Sequence, residues 1–135
     1  MNANENKTDE KIWLPQTPSA TAAKFCNLIE SGQPLAIHFW AQWDAHDKEV
    51  DKTLAAIAPR LAGWVDLYSC DIEDQANHQW CSELDIYAIP CVIVFAGGAA
   101  RHRIVGMRDE MTMARDILIG LTTDALQEGP WWKFW

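Results

Sequence analysis

Residues 35–47 read Leu-Ala-Ile-His-Phe-Trp-Ala-Gln-Trp-Asp-Ala-His-Asp, and they contain the strongest indication of the fold. Residues 35–41 form a nearly continuous apolar run of strand length, which is typical of a central strand covered on both faces. A helix is predicted directly after it, over about 45–62, since apolar residues recur there at helical spacing and Gly63 follows. These residues are Val50, Leu54, Ile57 and Leu61.

The rest of the chain continues this alternation of strands and helices. The pattern predicts a short strand at 12–14, a helix entered through Thr17-Pro18 and closed by Gly32, a strand at 65–70, a helix at 74–84, strands at 91–95 and 101–105, and a last helix around 113–121. Gly97-Gly98 is a good hairpin turn between the last two strands. The order predicts an α/β fold with a mixed central sheet and helices on both faces.

Size and charge narrow the classes of function. The 135 residues suit one domain, and 49% of them are hydrophobic, which is enough for a core. A net charge of -8 argues against a nucleic-acid partner. Residues 1–11 are polar, so we expect them to form a disordered tail. They lack the apolar segment of a secretory signal, so we expect a cytoplasmic location. No stretch of the sequence approaches the length of a membrane span, so we expect none.

Three segments resemble sequence motifs of the thioredoxin superfamily and follow one another in the same order along the chain. Residues 39–43, Phe-Trp-Ala-Gln-Trp, resemble the F-W-A-x-W that leads into the W-C-G-P-C active site of that family. Residues 87–91 resemble the segment that carries its cis-proline, and Gly106 resembles a glycine that lines the same substrate groove. The resemblance covers roughly residues 12–122. It implies a thioredoxin-like domain over 12–125 and a cis peptide bond between Ile89 and Pro90.

The dithiol of that family has been replaced. Asp44 and Asp47 stand where the resemblance places the two cysteines, with Ala45 and His46 between them. Disulfide exchange needs one thiolate to attack and a second thiol to resolve the mixed disulfide, and aspartate does neither. His38 and Ser69 also stand where the family keeps a buried aspartate and its lysine partner. We therefore expect no dithiol–disulfide exchange.

The two aspartates have an explanation that requires no function. Asp44 suits the N-cap of the helix that starts after it, and Asp47 suits the first turn, because the helix dipole favours negative charge there. A metal site formed by Asp44, His46, Asp47 and Cys91 is the alternative, but the spacing matches no dedicated site. We predict no metal and no cofactor.

The chain has four cysteines, Cys26, Cys70, Cys81 and Cys91. No two of them have the spacing of a C-x-x-C motif. Cys91 directly follows Pro90, so it is a candidate lone nucleophile in a monothiol redox protein or peroxidase. Its position at the start of a core strand favours an inert buried thiol instead, and the two nearby carboxylates would raise its pKa.

The leading hypothesis is a protein-binding accessory or chaperone-like role. The resemblance implies a groove that accepts an extended peptide by strand addition. It would be lined by Trp43, Asp44, His46, Asp47, Ile89, Pro90, Gly106 and Met107. The acids would favour a partner with basic residues. Hydrogenase-maturation accessory proteins are a narrower resemblance, through the short acidic chain and its V-F-x-G-G hairpin.

Residues 126–135 form a second candidate binding surface. They end in Trp131, Trp132, Phe134 and Trp135. This tail is expected either to fold back over its own domain or to act as an aromatic anchor for a partner.

Overall fold

The computed structural model describes residues 13–123. Its elements in chain order are α1 (Ala22–Glu30), β1 (Leu35–Trp40), α2 (Ala45–Leu61), β2 (Asp66–Asp71), a 3₁₀ turn (Gln75–Asn77), α3 (His78–Glu83), β3 (Cys91–Ala96), β4 (Ala99–Val105) and α4 (Glu110–Thr122). The predicted tails at 1–11 and 126–135, including the tryptophans, lie outside the described residues, as does Ile12. Among residues 13–123, none of the four helices has the length and apolarity needed to cross a bilayer.

The four strands form one mixed sheet in the order β2-β1-β3-β4. Strand β1 runs parallel to β2 and antiparallel to β3, and β3 pairs antiparallel with β4. Phe39 pairs with Cys70 on one side and with Cys91 on the other. The sheet therefore confirms the predicted mixture of parallel and antiparallel pairing.

Helices cover both faces of the sheet because the strand residues alternate between two apolar clusters. In β1 and β3, even-numbered positions such as Ala36 and Val92 pack with α2 and α4. Odd-numbered positions such as Ile37 and Ile93 pack with α1 and α3. All six residues of β1 are buried, as the apolar run predicts.

The first predicted strand and the start of the first helix were wrong. Residues 13–15 form no strand, and the segment joins the sheet only through an isolated bridge from Ser19 to Ser69. Helix α1 begins at Ala22, with Thr21 as its N-cap. Thr17 does not cap it, because its hydroxyl and backbone N–H donate to the buried carboxylate of Asp51 at 3.0 and 3.4 Å.

The hairpin between β3 and β4 is longer than predicted. Pairing continues to Ala96 and Ala99, and Gly97 and Gly98 alone make the turn. Both glycines have positive φ, 62° and 85°, which is the geometry that a two-residue turn needs to match the twist of its strands. Strand β4 therefore begins at Ala99 and not at Arg101.

Candidate functional site

The site lies at the sheet edge where β1 ends and β3 begins. Because β1 and β3 are antiparallel neighbours, the turn after Trp40 and the loop before Cys91 meet there. Strand β4 ends at the same edge, where Val105 pairs with Cys91. This topology brings the predicted residues of the 43–47, 89–91 and 106–107 segments to one end of the molecule.

Asp44 is the N-cap of α2, as predicted. Its backbone is extended, and its carboxylate accepts a hydrogen bond from the N–H of His46 at 2.8 Å. His46 is largely exposed, and its Nδ1 lies 3.6 Å from Asp44 Oδ1. Asp44 therefore has a structural role, while the imidazole beside it faces solvent.

Asp47 differs from the expectation for a groove residue. It is 0% exposed, so a partner cannot reach it. One carboxylate oxygen lies 2.9 Å from Nε2 of His38, and the other accepts the backbone N–H of Ala41 at 2.9 Å. The bond joins an imidazole nitrogen to a carboxylate oxygen, so His38 donates in the tautomer that carries its proton on Nε2. The predicted hydrogen-bonded core position of His38 is confirmed.

The loop before β3 and the turn after β4 are joined directly. The Ile89–Pro90 peptide bond is cis, and the carbonyl of Pro90 accepts the N–H of Gly106 at 2.9 Å. Gly106 has a φ of +92°, where a side chain would be strained. Met107 follows it and is half exposed.

Two residues at this edge, Ile89 and Trp43, present groups that the described part of the chain leaves open. Within residues 13–123, neither the backbone N–H nor the carbonyl of Ile89 makes a hydrogen bond. The indole of Trp43 is 70% exposed. The edge therefore combines a free backbone segment with exposed apolar side chains.

Cys91 is buried and only 1% exposed. Burial raises the pKa of its thiol to about 12, since the thiolate would lose its hydration. The nearby Arg103 guanidinium opposes this rise, and Asp47 adds to it. At neutral pH Cys91 is a protonated thiol inside the core, which is the environment of a structural cysteine.

The other thiols also lie away from the predicted groove. Cys70 and Cys81 belong to the same apolar cluster as Cys91, and Cys26 is half-buried on α1. Between Trp13 and Thr123, no three His, Cys, Asp or Glu side chains come together as a metal site would require. Asp44 and Asp47 in particular direct their carboxylates to different partners.

The role of Arg103 on β4 could not be predicted from the sequence. Its guanidinium donates to the carbonyls of Leu84 and Asp85 at the end of α3, and lies 5.8 Å from the ring centre of Tyr87. Arg103 therefore holds the chain segment that leads into Ile89. Its partners are backbone atoms of a distant loop, which no local pattern identifies.

This fold and site define a class: α/β proteins that present a loop with a cis peptide bond beside the N-terminus of a helix. The family model described as Thioredoxin matches residues 16–118. The chain therefore belongs to the thioredoxin family.

Relatives and solved structures agree with this. The chain is 28% identical over 91 residues to the thioredoxin of Mycolicibacterium smegmatis, covering 67% of this chain and 81% of that protein. It is 29% identical over 96 residues to a bifunctional thioredoxin reductase/thioredoxin of Mycobacterium leprae, covering 71% of this chain but only 20% of that larger protein. Mitochondrial thioredoxin 3 of Saccharomyces cerevisiae superposes with a TM-score of 0.66 at 22% identity, covering 75% and 92% of the two chains.

Proposed function

We propose that this chain is a protein-binding member of the thioredoxin family that holds an extended segment of a partner beside Ile89 and does not catalyse dithiol exchange. The observation that carries the proposal is that, in the described part of the chain, the backbone N–H and carbonyl of the partly exposed Ile89 make no hydrogen bond. An extended segment can pair with both groups, as in strand addition.

Apolar side chains flank this backbone. Trp43 lies after β1 and Met107 after β4, and both are exposed. Exposed tryptophan and methionine are typical of protein-binding surfaces, since they bury a large area when a partner docks. Strand addition at Ile89 would place alternate side chains of the partner toward this surface.

The charge that favours a basic partner comes from Asp44 alone. Asp47 is buried against His38 and is removed from the binding surface. The Asp44 side chain is 11% exposed at the groove edge, beside the largely exposed His46. A basic residue of the partner near Asp44 would gain the attraction of the carboxylate, although the helix N-terminus partly offsets it.

The chemistry of the site supports binding more than redox catalysis. Asp44 and Asp47 cannot form a mixed disulfide, and the pKa of Cys91 is raised by burial. A hydrogenase-maturation accessory role is a narrower form of this proposal, resting on the short acidic chain and the hairpin sequence.

Partner affinity of two matched tryptophan variants tests the proposal. A pull-down with the full chain supplies the partner, and titration calorimetry measures Kd for Trp43→Ala and Trp64→Ala. Both side chains are 70% exposed, but Trp64 precedes β2 at the opposite end of the sheet. We expect Trp43→Ala to weaken binding on the order of tenfold or more, as for an interface anchor, and Trp64→Ala to leave it unchanged.

A chain lacking residues 130–135 and the variant Asp44→Lys complete the test. If Trp43→Ala and Asp44→Lys leave Kd unchanged while the deletion abolishes binding, the tryptophan tail is the binding surface and the proposal is wrong. Circular dichroism of each variant controls for folding, because Asp44→Lys removes an N-cap worth about 1 kcal/mol.

A further inference from the structure

A second surface, lined by other residues than the Ile89 edge, lies where the parallel strands β1 and β2 end. It is a groove of about 490 Å³, which is within the usual size range of small-ligand sites. Its walls include the apolar residues Leu14, Pro15 and Ala20, the ring of Trp40 and the carboxylates of Asp71 and Asp74.

The two carboxylates keep unused acceptor capacity. Oδ1 of Asp71 accepts the N–H of Glu73 at 2.9 Å, and Oδ1 of Asp74 accepts the N–H of Ala76 at 3.0 Å. Their Oδ2 atoms make no hydrogen bond, and neither residue has an ion pair, among residues 13–123. Among residues 13–123, no lysine or arginine lines the groove. The groove is therefore an apolar surface with uncompensated negative charge.

Trp40 supplies a separate sign of a missing ligand. The residue is only 4% exposed, and its indole N–H is buried without a hydrogen-bond partner in the part of the chain that the structure describes. Buried donors are satisfied in the great majority of cases. Trp40, Asp71 and Asp74 all line this groove, so a ligand that carries both an acceptor and a cation would match the unpaired donor and the free carboxylate oxygens.

We propose that this groove binds an arginine side chain of an extended protein segment. The planar guanidinium can donate to both carboxylates, while its methylene stem packs on Leu14 and Pro15. The backbone carbonyl of the same segment provides an acceptor for the indole N–H. This last contact favours an arginine within a polypeptide over a free small cation.

Titration of the ¹⁵N-labelled chain with acetyl-Gly-Arg-Gly-amide tests the proposal. We expect a saturable shift of the Trp40 indole N–H resonance, assigned by its loss in Trp40→Phe. The same peptide with citrulline is nearly isosteric with arginine but neutral, so it should bind on the order of tenfold more weakly or not at all. No saturable shift with arginine, or equal binding of citrulline, would overturn the proposal.

The double variant Asp71→Asn/Asp74→Asn removes the charge and keeps the Oδ1 atoms that accept from Glu73 and Ala76. We expect it to lose the arginine binding while its spectrum stays dispersed. Glu49→Gln is the matched control, because it removes one exposed charge on α2 away from the groove. Undiminished binding by the double variant would contradict the assignment.

The N-terminal residues of this chain are the rival occupant, since Lys7 and Lys11 precede Leu14 in sequence. A variant without residues 1–11 separates the two possibilities. Equal affinity for the peptide supports an external partner. Affinity that rises about tenfold on deletion would show that the chain fills its own groove, and would overturn the proposal.

Discussion

His38 Nε2 and Asp47 Oδ1 lie 2.9 Å apart, and both side chains are 0% exposed. The pair joins the middle of β1 to the first turn of α2. Asp47 stands where the resemblance to the thioredoxin family places one of the two cysteines. Ala41 adds a backbone hydrogen bond to the same carboxylate. Asp47 thus fixes the strand–helix junction that presents Trp43 and Asp44.

Replacing Asp47 with alanine should lower the free energy of unfolding by about 3–5 kcal/mol, because it leaves a buried imidazole and the Ala41 N–H without their acceptor. Asp44→Ala, which removes only the N-cap, should lower it by about 1 kcal/mol. Urea denaturation measures both. A loss below about 1 kcal/mol for Asp47→Ala would show that the buried pair does not hold the junction.

The chain should not reduce insulin in a turbidity assay with a dithiol reductant, since neither Asp44 nor Asp47 can form a mixed disulfide. The variant Asp44→Cys/Asp47→Cys should be weakly active at best. It retains His38 and Ser69 in place of proton-transfer groups, and it removes the acceptor for His38. Turnover by the unmodified chain near that of an ordinary thioredoxin, run in parallel, would refute the proposed loss of dithiol activity.

Stability should fall above about pH 9, partly through Cys91. Its pKa is raised from 9.0 to about 12 by burial, so between these values the unfolded thiol loses its proton and the folded thiol keeps it. The folded state then binds more protons, and unfolding becomes easier as pH rises, by up to about 1.4 kcal/mol per pH unit.

Cys91→Val isolates this contribution because it keeps an apolar side chain in the core and cannot ionise. Denaturation of both proteins at several pH values should give a shallower alkaline decline for the variant. Equal slopes would mean that the Cys91 pKa is not raised by folding.

Gly120→Ala should destabilise the protein although alanine favours helices. A Cβ at Gly120 would lie 3.0 Å from His102 Cβ and 3.1 Å from Val94 Cγ2, so α4 would have to move away from the sheet. Overpacking should lower the free energy of unfolding by about 1–3 kcal/mol, which is more than the gain of up to about 1 kcal/mol from the higher helix propensity of alanine. Thr122→Ala, exposed on the same helix, is the control, and a higher melting temperature for Gly120→Ala would contradict this packing.

Local patterns in the sequence determined the fold class, the buried strand β1, the helix after it and the N-cap at Asp44. Hydropathy repeats and capping residues act over a few positions, so one segment contains the information. The hydrogen-bonded core position of His38 also followed from its place inside an apolar run.

Only the tertiary structure decided what the remaining site residues contact. Asp47 turned inward because α2 packs over β1 and brings its carboxylate to His38. Thr17 lost its predicted cap role because Asp51, 34 residues away, accepts its hydrogen bonds. The groove at Trp40 is lined by residues from segments that are far apart in the sequence. Such contacts depend on how elements dock, and docking is set by packing across the whole core, which a single segment does not encode.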